Sequence, residues 1–249
     1  MIELKNIYKS FNGTKVLDDA NLKIQKGESL VIIGRSGSGK SVLLKHLIGL
    51  IAPDSGRVII DGIDLTKARS KDVRKTRKKF GMLFQGAALF DSLTVFENVG
   101  FQLMEYTHKT YEEIKVRVEE CLKMVGLKGI EEMKPSELSG GMKKRVGLAR
   151  AISMSPEILL FDEPTTGLDP IMGDIINDLI RSLHTQLKLT SVTVTHDMKS
   201  AFKIADRICM VYEKKIKEIG TPEDILNSTD PVIQQFVSGN SKGPLTENE

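Results

Sequence analysis

Between the β-branched run Ser29-Leu-Val-Ile-Ile33 and the helical pattern Val42-Leu-Leu-Lys-His-Leu-Ile48 stands Gly34-Arg35-Ser36-Gly37-Ser38-Gly39-Lys40-Ser41. No other stretch restricts the fold as severely, because strand, glycine turn and helix must follow one another within a few residues. Glycines let the backbone curl until successive N–H groups converge on one anion. The helix beginning here adds free N–H groups and the positive end of its dipole. Lys40 is placed to reach the β- and γ-phosphates of a nucleoside triphosphate as a point charge, and the Ser41 hydroxyl is a hard ligand for Mg²⁺. Residues 34–41, with Val42 in the first turn behind them, are the expected cofactor-binding segment.

Two carboxylates end another apolar run, Ile158-Leu-Leu-Phe-Asp-Glu163. Acidic residues at strand ends are common, but beside a phosphate loop they acquire a use. Asp162 can hold the metal's ligand shell, and Glu163 can orient and polarise an attacking water. Without the metal, such carboxylates would repel a triphosphate. Leu138-Ser-Gly-Gly-Met142 opens a further helical pattern, so Ser139, Gly140 and Gly141 repeat the physics of the first site without its lysine. His196 directly follows the run Thr190–Thr195, at the end of the strand after the Asp-Glu strand, and is expected to contact a γ-phosphate.

The remaining pattern frames these residues. Ile2–Ile7 and Val16–Ile24 alternate as strands about the turn Asn12-Gly13. Phe11, just before that turn, reads equally as hairpin packing or as a platform for an adenine ring. After the turn Pro53-Asp-Ser-Gly56 and the strand ending Val58-Ile-Ile-Asp-Gly62 comes the densest basic run, 69–79. A solvated helix face is expected there, since no aromatics interleave for base stacking; lipid headgroups and nucleic acid are the alternatives. Phe80–Phe84 reads as a short buried strand stopping at Gln85, and the uncharged loop Gly86-Ala-Ala-Leu-Phe90 is expected to meet a partner or its own core.

From Val95 to Ala151 the strand signal vanishes, and Ile114, Val118, Cys121, Leu122 and Val125 form one helical stripe. A helical subdomain over about 91–150, inserted into an α/β body, is expected. Strand patterns resume at Ile158–Phe161, Thr190–Thr195 and Arg207–Tyr212. The helix among them has an expected buried face of Ile175, Ile176, Leu179, Ile180, Leu183 and Leu187. Such alternation implies a parallel sheet with covered faces. Thr221-Pro and Asp230-Pro each place an N-cap before Pro at N1, so two short helices should close a single domain over 1–238, with 239–249 as a tail.

Apolar runs last only a handful of residues, so no segment is expected to cross a bilayer, and Met1-Ile-Glu-Leu-Lys5 begins a strand rather than a secretory signal. Cys121 and Cys209, distant and without a nearby His cluster, read as buried thiols of a reducing cytoplasm. A net charge of +3 is too small to imply nucleic acid.

Taken together, the motifs resemble the ATP-binding subunit of an ABC transporter, essentially end to end. Gly34–Ser41 is similar to the Walker A motif, Ile158–Glu163 to Walker B, and Leu138–Met142 to the signature that sets this family apart from other P-loop NTPases. Gln85 matches the Q-loop, Gly167-Leu-Asp169 the D-loop and His196 the switch histidine. The resemblance implies a P-loop NTPase core with an N-terminal antiparallel β subdomain and an inserted α-helical subdomain. It implies ATP and Mg²⁺ as cofactors, with Ser41, Asp162 and Gln85 around the metal, Glu163 as catalytic base or water-polariser, and Phe11 stacked on adenine. It also implies a head-to-tail ATPase homodimer, in which Ser139 and Gly141 of one subunit cap the γ-phosphate held by Lys40 of the other.

Three stretches, 81–93, 165–172 and 230–236 with Gly243-Pro244, resemble the MlaF-like subgroup, with its Mce, toluene-tolerance and plastid members. Thr166-Gly-Leu168 before Asp169 follows the broad family rather than one branch of that subgroup. This likeness implies lipid transport between membranes, from the cytoplasmic face of the inner membrane. The expected partners are a MlaE-like permease near the Gln85–Phe90 loop, an MCE-domain lipid-binding protein and, in some systems, a STAS-domain subunit. It also makes 230–249 a candidate for contact between subunits. An ABC ATPase serving a small polar solute would share every catalytic residue. One acting on nucleic acid or the ribosome would carry a coiled-coil insertion or two cassettes, and neither is found, so no nucleic-acid partner is expected.

Overall fold

Strands that are apolar on both faces need helices on both sides, and the chain supplies them. The computed structural model describes residues 1–246, in the order β1 (Ile2–Phe11), β2 (Thr14–Ile24), β3 (Ser29–Ile33), α1 (Lys40–Leu47), β4 (Ser55–Ile60), β5 (Ile63–Asp64), α2 (Ser70–Arg77) and β6 (Phe80–Leu83). There follow α3 (Val95–Tyr106), α4 (Tyr111–Met124), α5 (Gly140–Ile152), β7 (Ile158–Asp162), α6 (Pro170–Leu187), β8 (Thr190–Thr195) and α7 (Met198–Ile204). The last elements are β9 (Arg207–Tyr212), β10 (Lys215–Gly220), α8 (Pro222–Leu226) and α9 (Pro231–Ser238).

The strands form a four-stranded sheet, β2-β1-β4-β5, and a six-stranded sheet, β10-β9-β3-β8-β7-β6. The first is antiparallel: Ile2, Leu4 and Ile7 point inward, with Ile2 opposite Ile24 and Ile60. The second is parallel apart from its β10 edge. Alternate residues of its central strands serve two cores, as the two-residue period requires. Leu30 and Ile32 join Leu43, Leu44 and Leu47 of α1 and the antiparallel sheet. Val31 and Ile33 join α6, α7 and the helical layer.

That layer behaves as its pattern indicates. The stripe Ile114, Val118, Cys121, Leu122 and Val125 is buried, and capping boxes at Thr94/Glu97 and Thr110/Glu113 start α3 and α4. α5 leaves the layer and packs on β6 so tightly that a Cβ on Gly81 would lie 2.1 Å from the Ala151 carbonyl oxygen. Both cysteines are buried, and burial pushes the Cys121 thiol up to about 11.

Two expectations need correction, and one strand was not expected. β10 went unread, because its hairpin turn uses Glu213 and Lys214, both at positive φ, instead of the Asn-Gly that signals such a turn. Ile175 and Leu187 are 37% and 36% exposed; the buried face of α6 is Gly173, Ile176, Asn177, Ile180, Leu183 and His184. Asn177 and His184 occupy it because each has a polar partner there, Ser200 Oγ at 2.8 Å and Ser191 Oγ at 3.1 Å. Residues 240–246, expected as part of a tail, fold back onto α9. The buried Gln235 amide donates to the Asn240 carbonyl and Thr246 Oγ1, and its Oε1 accepts from the Leu245 N–H at 2.7 Å. Arg35 of the phosphate loop donates to the Leu245 carbonyl, so this segment is fastened within its own chain. The remainder of the expected tail, 247–249, lies outside the described residues. Among the described residues no helix is long and apolar enough to cross a membrane.

Candidate active site

β3 ends at Ile33, and the loop 34–39 delivers the chain into α1 through Gly39, whose φ of 102° is a left-handed conformation open to glycine. A Cβ there would also press on the Val16 side chain at 3.0 Å. Arg35, Ser36 and Gly37 form the exposed lip, while Val42 packs into the core behind the loop. Lys40 is 6% exposed; its ammonium donates to the carbonyls of Gly34 at 2.7 Å and Arg35 at 2.9 Å. Burial holds its pKa below the usual lysine range, and the nearby charges of Glu163 and Asp162 oppose that shift. Ser38 Oγ is buried without a hydrogen-bond partner among the described residues.

The sheet register assembles the rest. Asp162 of β7 pairs with Val194 of β8, which sets Glu163 beside Thr195 and His196. Ser41 Oγ donates to Asp162 Oδ1 at 2.8 Å. Glu163 turns out of the strand at φ 48°, an uncommon conformation for a non-glycine residue, and its N–H is held by the Val194 carbonyl at 2.9 Å. Its carboxylate lies 2.9 Å from His196 Nδ1, 3.9 Å from Lys40 Nζ, and within 3.3 and 3.4 Å of the Thr166 and Thr195 hydroxyls. Lys40, Ser41, Asp162, Glu163 and His196, scattered over the sequence, thus meet at the ends of three neighbouring strands.

Other expected residues stand apart. Phe11 is 41% exposed at the end of β1, with the Lys9 ammonium 5.2 Å from its ring centroid. Ser139 caps α5 by accepting from the Met142 N–H at 3.3 Å, and both it and Gly140 face outward. Gly141 abuts Met172, whose Cε would lie 2.4 Å from an added Cβ. Asp169 caps α6 through the N–H groups of Ile171 and Met172. Within one chain none of these four hydrogen-bonds to the phosphate loop among the described residues.

Two residues escaped the sequence reading. Lys144, 5% exposed, donates to the Gln85 carbonyl and, at 3.4 Å, to the Glu163 carbonyl. Arg150 donates at 2.7 Å to each of the Ala87 and Ala88 carbonyls, two residues with positive φ. One helix therefore grips the loop after β6 at two points and touches the backbone of the catalytic candidate. The available signal was a lysine, Lys144, on a helix face otherwise made of Gly141, Gly147, Leu148 and Ala151.

These residues fit a magnesium nucleotide. Ser41 and Asp162 offer adjacent hard oxygens, as Mg²⁺ prefers, and the orphaned Ser38 hydroxyl and the Lys40 ammonium line the loop. A phosphate loop and an Asp-Glu pair at the carboxyl ends of one parallel sheet define a P-loop nucleoside triphosphatase. The sequence profile described as "ABC transporter" matches residues 17–166. The chain belongs to the ABC transporter family and is an ATP hydrolase that uses ATP and Mg²⁺.

The chain is 42% identical over 248 residues to the probable ribonucleotide transport ATP-binding protein mkl of Mycobacterium leprae, covering 100% of this chain and 72% of that protein. It is 40% identical over 245 residues to the intermembrane phospholipid transport system ATP-binding protein MlaF of Haemophilus influenzae, covering 98% and 93%. A dimeric ATP-binding cassette solved in a post-hydrolysis state with ADP and Pi superposes with a TM-score of 0.82 at 35% identity, over 89% of this chain and 99% of that one.

Proposed function

We propose that this chain powers phospholipid transport between membranes by hydrolysing ATP on the inner face of a membrane, docked to a MlaE-like permease that works with an MCE-domain protein. The observation that carries this reading is the near end-to-end likeness to MlaF, over 98% of this chain and 93% of that protein. The surface supports it. A groove of about 470 Å³ beside the Gln85 loop is lined by Met82, Phe84, Phe90, Phe101, Tyr106 and Arg150, among others, a shape and polarity that suit an apolar helix of a partner.

Within the site, Glu163 takes the role of base, accepting a proton from water while the His196 imidazole and the two threonine hydroxyls hold its carboxylate in place. Bound Mg²⁺ supplies charge neutralisation on the phosphate oxygens. Lys40 binds the β- and γ-phosphates, Phe11 carries the adenine, and Gln85 senses the metal at the edge of the permease groove. Ser139, Gly140, Gly141 and Asp169, turned away from their own loop, act on the nucleotide of a second, identical subunit. The dimeric relative supports that arrangement.

Lys144 ties this machinery together. Lys144→Met is expected to lower ATP turnover by about tenfold or more, since small misplacements of reacting groups cost up to roughly 10² in rate. Nucleotide affinity should stay within about twofold. Steady-state hydrolysis and fluorescent-nucleotide titration check the split; equal losses in both would mean a global defect.

The test of the transport reading is purification of the tagged chain from mildly solubilised native membranes, with identification of what accompanies it. A MlaE-like permease with an MCE-domain protein is expected. A permease accompanied by a soluble solute-binding protein would overturn the lipid assignment. It would favour a polar cargo, the second reading supported by the likeness to a protein named for probable ribonucleotide transport.

A further inference from the structure

We propose that the exposed cationic face of α2 is a docking surface for anionic phospholipid headgroups, adjoining the groove beside the Gln85 loop. The direction in which this face points, toward the bilayer around a permease, rests on the transport reading; its chemistry does not.

The basic run 69–79 divides into two parts. Arg77 donates to the Ile48 and Gly49 carbonyls, Lys79 pairs with Asp61 and Glu157, and Thr76 is buried; these anchor the helix to the fold. Lys71, Arg74, Lys75 and Lys78 follow the spacing of one helix face, are all exposed, and make no ion pair among the described residues. The one acid of α2, Asp72, is engaged with Arg69 at 3.4 Å. Lys71 with Lys75, and Arg74 with Lys78, are like-charge neighbours one turn apart, an arrangement that weakens a helix rather than supporting it. A face assembled against that repulsion is complementary to a polyanion.

The apolar surroundings select the kind of polyanion. The Lys78 ammonium lies 6.0 Å from the centroid of the Tyr106 ring, which is 61% exposed, and Leu50 is 52% exposed. Tyr106 and Leu50 line the groove together with Arg77. Cations bordered by an amphipathic aromatic and an aliphatic side chain match the headgroup zone of a bilayer, where charge and apolar surface are offered side by side. Nucleic-acid grooves interleave stacking rings with the cations, whereas Lys71, Arg74, Lys75 and Lys78 border one ring, Tyr106, and Phe84, Phe90 and Phe101 lie together in the adjoining groove.

The experiment is flotation of the full chain with phosphatidylcholine vesicles, with and without phosphatidylglycerol. The wild type is compared with Lys71→Gln/Arg74→Gln/Lys75→Gln/Lys78→Gln. Each cation held at an anionic surface contributes roughly fivefold in affinity. Binding should therefore require phosphatidylglycerol, weaken with added salt, and fall by at least about tenfold in the variant. ATP turnover should be unchanged and the melting temperature no lower, since the substitutions relieve like-charge repulsion along the helix. No binding by the wild type, equal binding by the variant, or stronger competition from RNA than from phosphatidylglycerol vesicles would overturn the proposal. Co-purification from membranes is scored separately. Loss of vesicle binding with the permease retained would support the lipid surface, whereas vesicle binding with no permease would sink the transport reading and leave the surface standing.

Discussion

ATP turnover by the Glu163→Gln variant is expected to fall about 10²–10⁴-fold while ATP remains bound. The amide is isosteric with the carboxylate, so the contacts of Thr166, Thr195 and His196 around it retain their places. What disappears is the basic oxygen that accepts a proton from the attacking water. Lys40, 3.9 Å away, loses an opposing charge, which strengthens its hold on phosphate if anything. Because the nucleotide persists, the variant should also accumulate as the ATP-bound dimer. Single-turnover hydrolysis, nucleotide titration and size-exclusion chromatography with ATP make the check, and turnover near the wild-type rate would refute the role assigned to Glu163.

Loss at the other end of the phosphate is the second large effect. Lys40→Met is expected to weaken ATP binding by about 10²-fold, the worth of one to two charge-assisted hydrogen bonds removed from a buried site. Its effect on folding should be smaller. Burial depresses the Lys40 pKa, so the folded chain bears a cost for the charge that a methionine removes, while the Gly34 and Arg35 carbonyls lose their donor and Glu163 its cation. The stabilisation by added ATP should vanish. Thermal denaturation with and without ATP separates the two effects. A variant that unfolds would show Lys40 to be structural, and one still stabilised by ATP would remove it from the binding site.

Much of the site was legible because its parts are local. The loop 34–41 announces itself through glycines that must adopt conformations closed to other residues and through a lysine at the first helical position. The parallel order of the strands followed from apolar runs too continuous for a one-sided sheet. Ile114, Val118, Cys121, Leu122 and Val125 were readable because a helix buries side chains at its own period. The α6 face was misjudged at Ile175 and Leu187 for the converse reason. Periodicity weighs hydrophobicity and has no means of crediting a buried asparagine or histidine with a partner on another element. Phe11 is ambiguous in the sequence, since an aromatic before a hairpin turn has the same local pattern whether it packs on the hairpin or carries an adenine ring.

By itself the sequence determined the phosphate loop, the Asp-Glu strand end, the signature turn and the caps of α8 and α9; the turns and caps were readable because they close their hydrogen bonds within a few residues. Only the tertiary structure decided that β8 lies beside β7 and so presents His196 to Glu163, that Lys144 joins the Gln85 and Glu163 carbonyls, and that 240–246 returns to Arg35. It alone also divided the basic run into cations that anchor the helix and cations without an ion pair among the described residues. The physical reason is one of range. Turn geometry and helical period act between neighbours along the chain, while the partner of a buried lysine or glutamate is chosen by which strands and helices pack together, and that choice is made by the whole core at once.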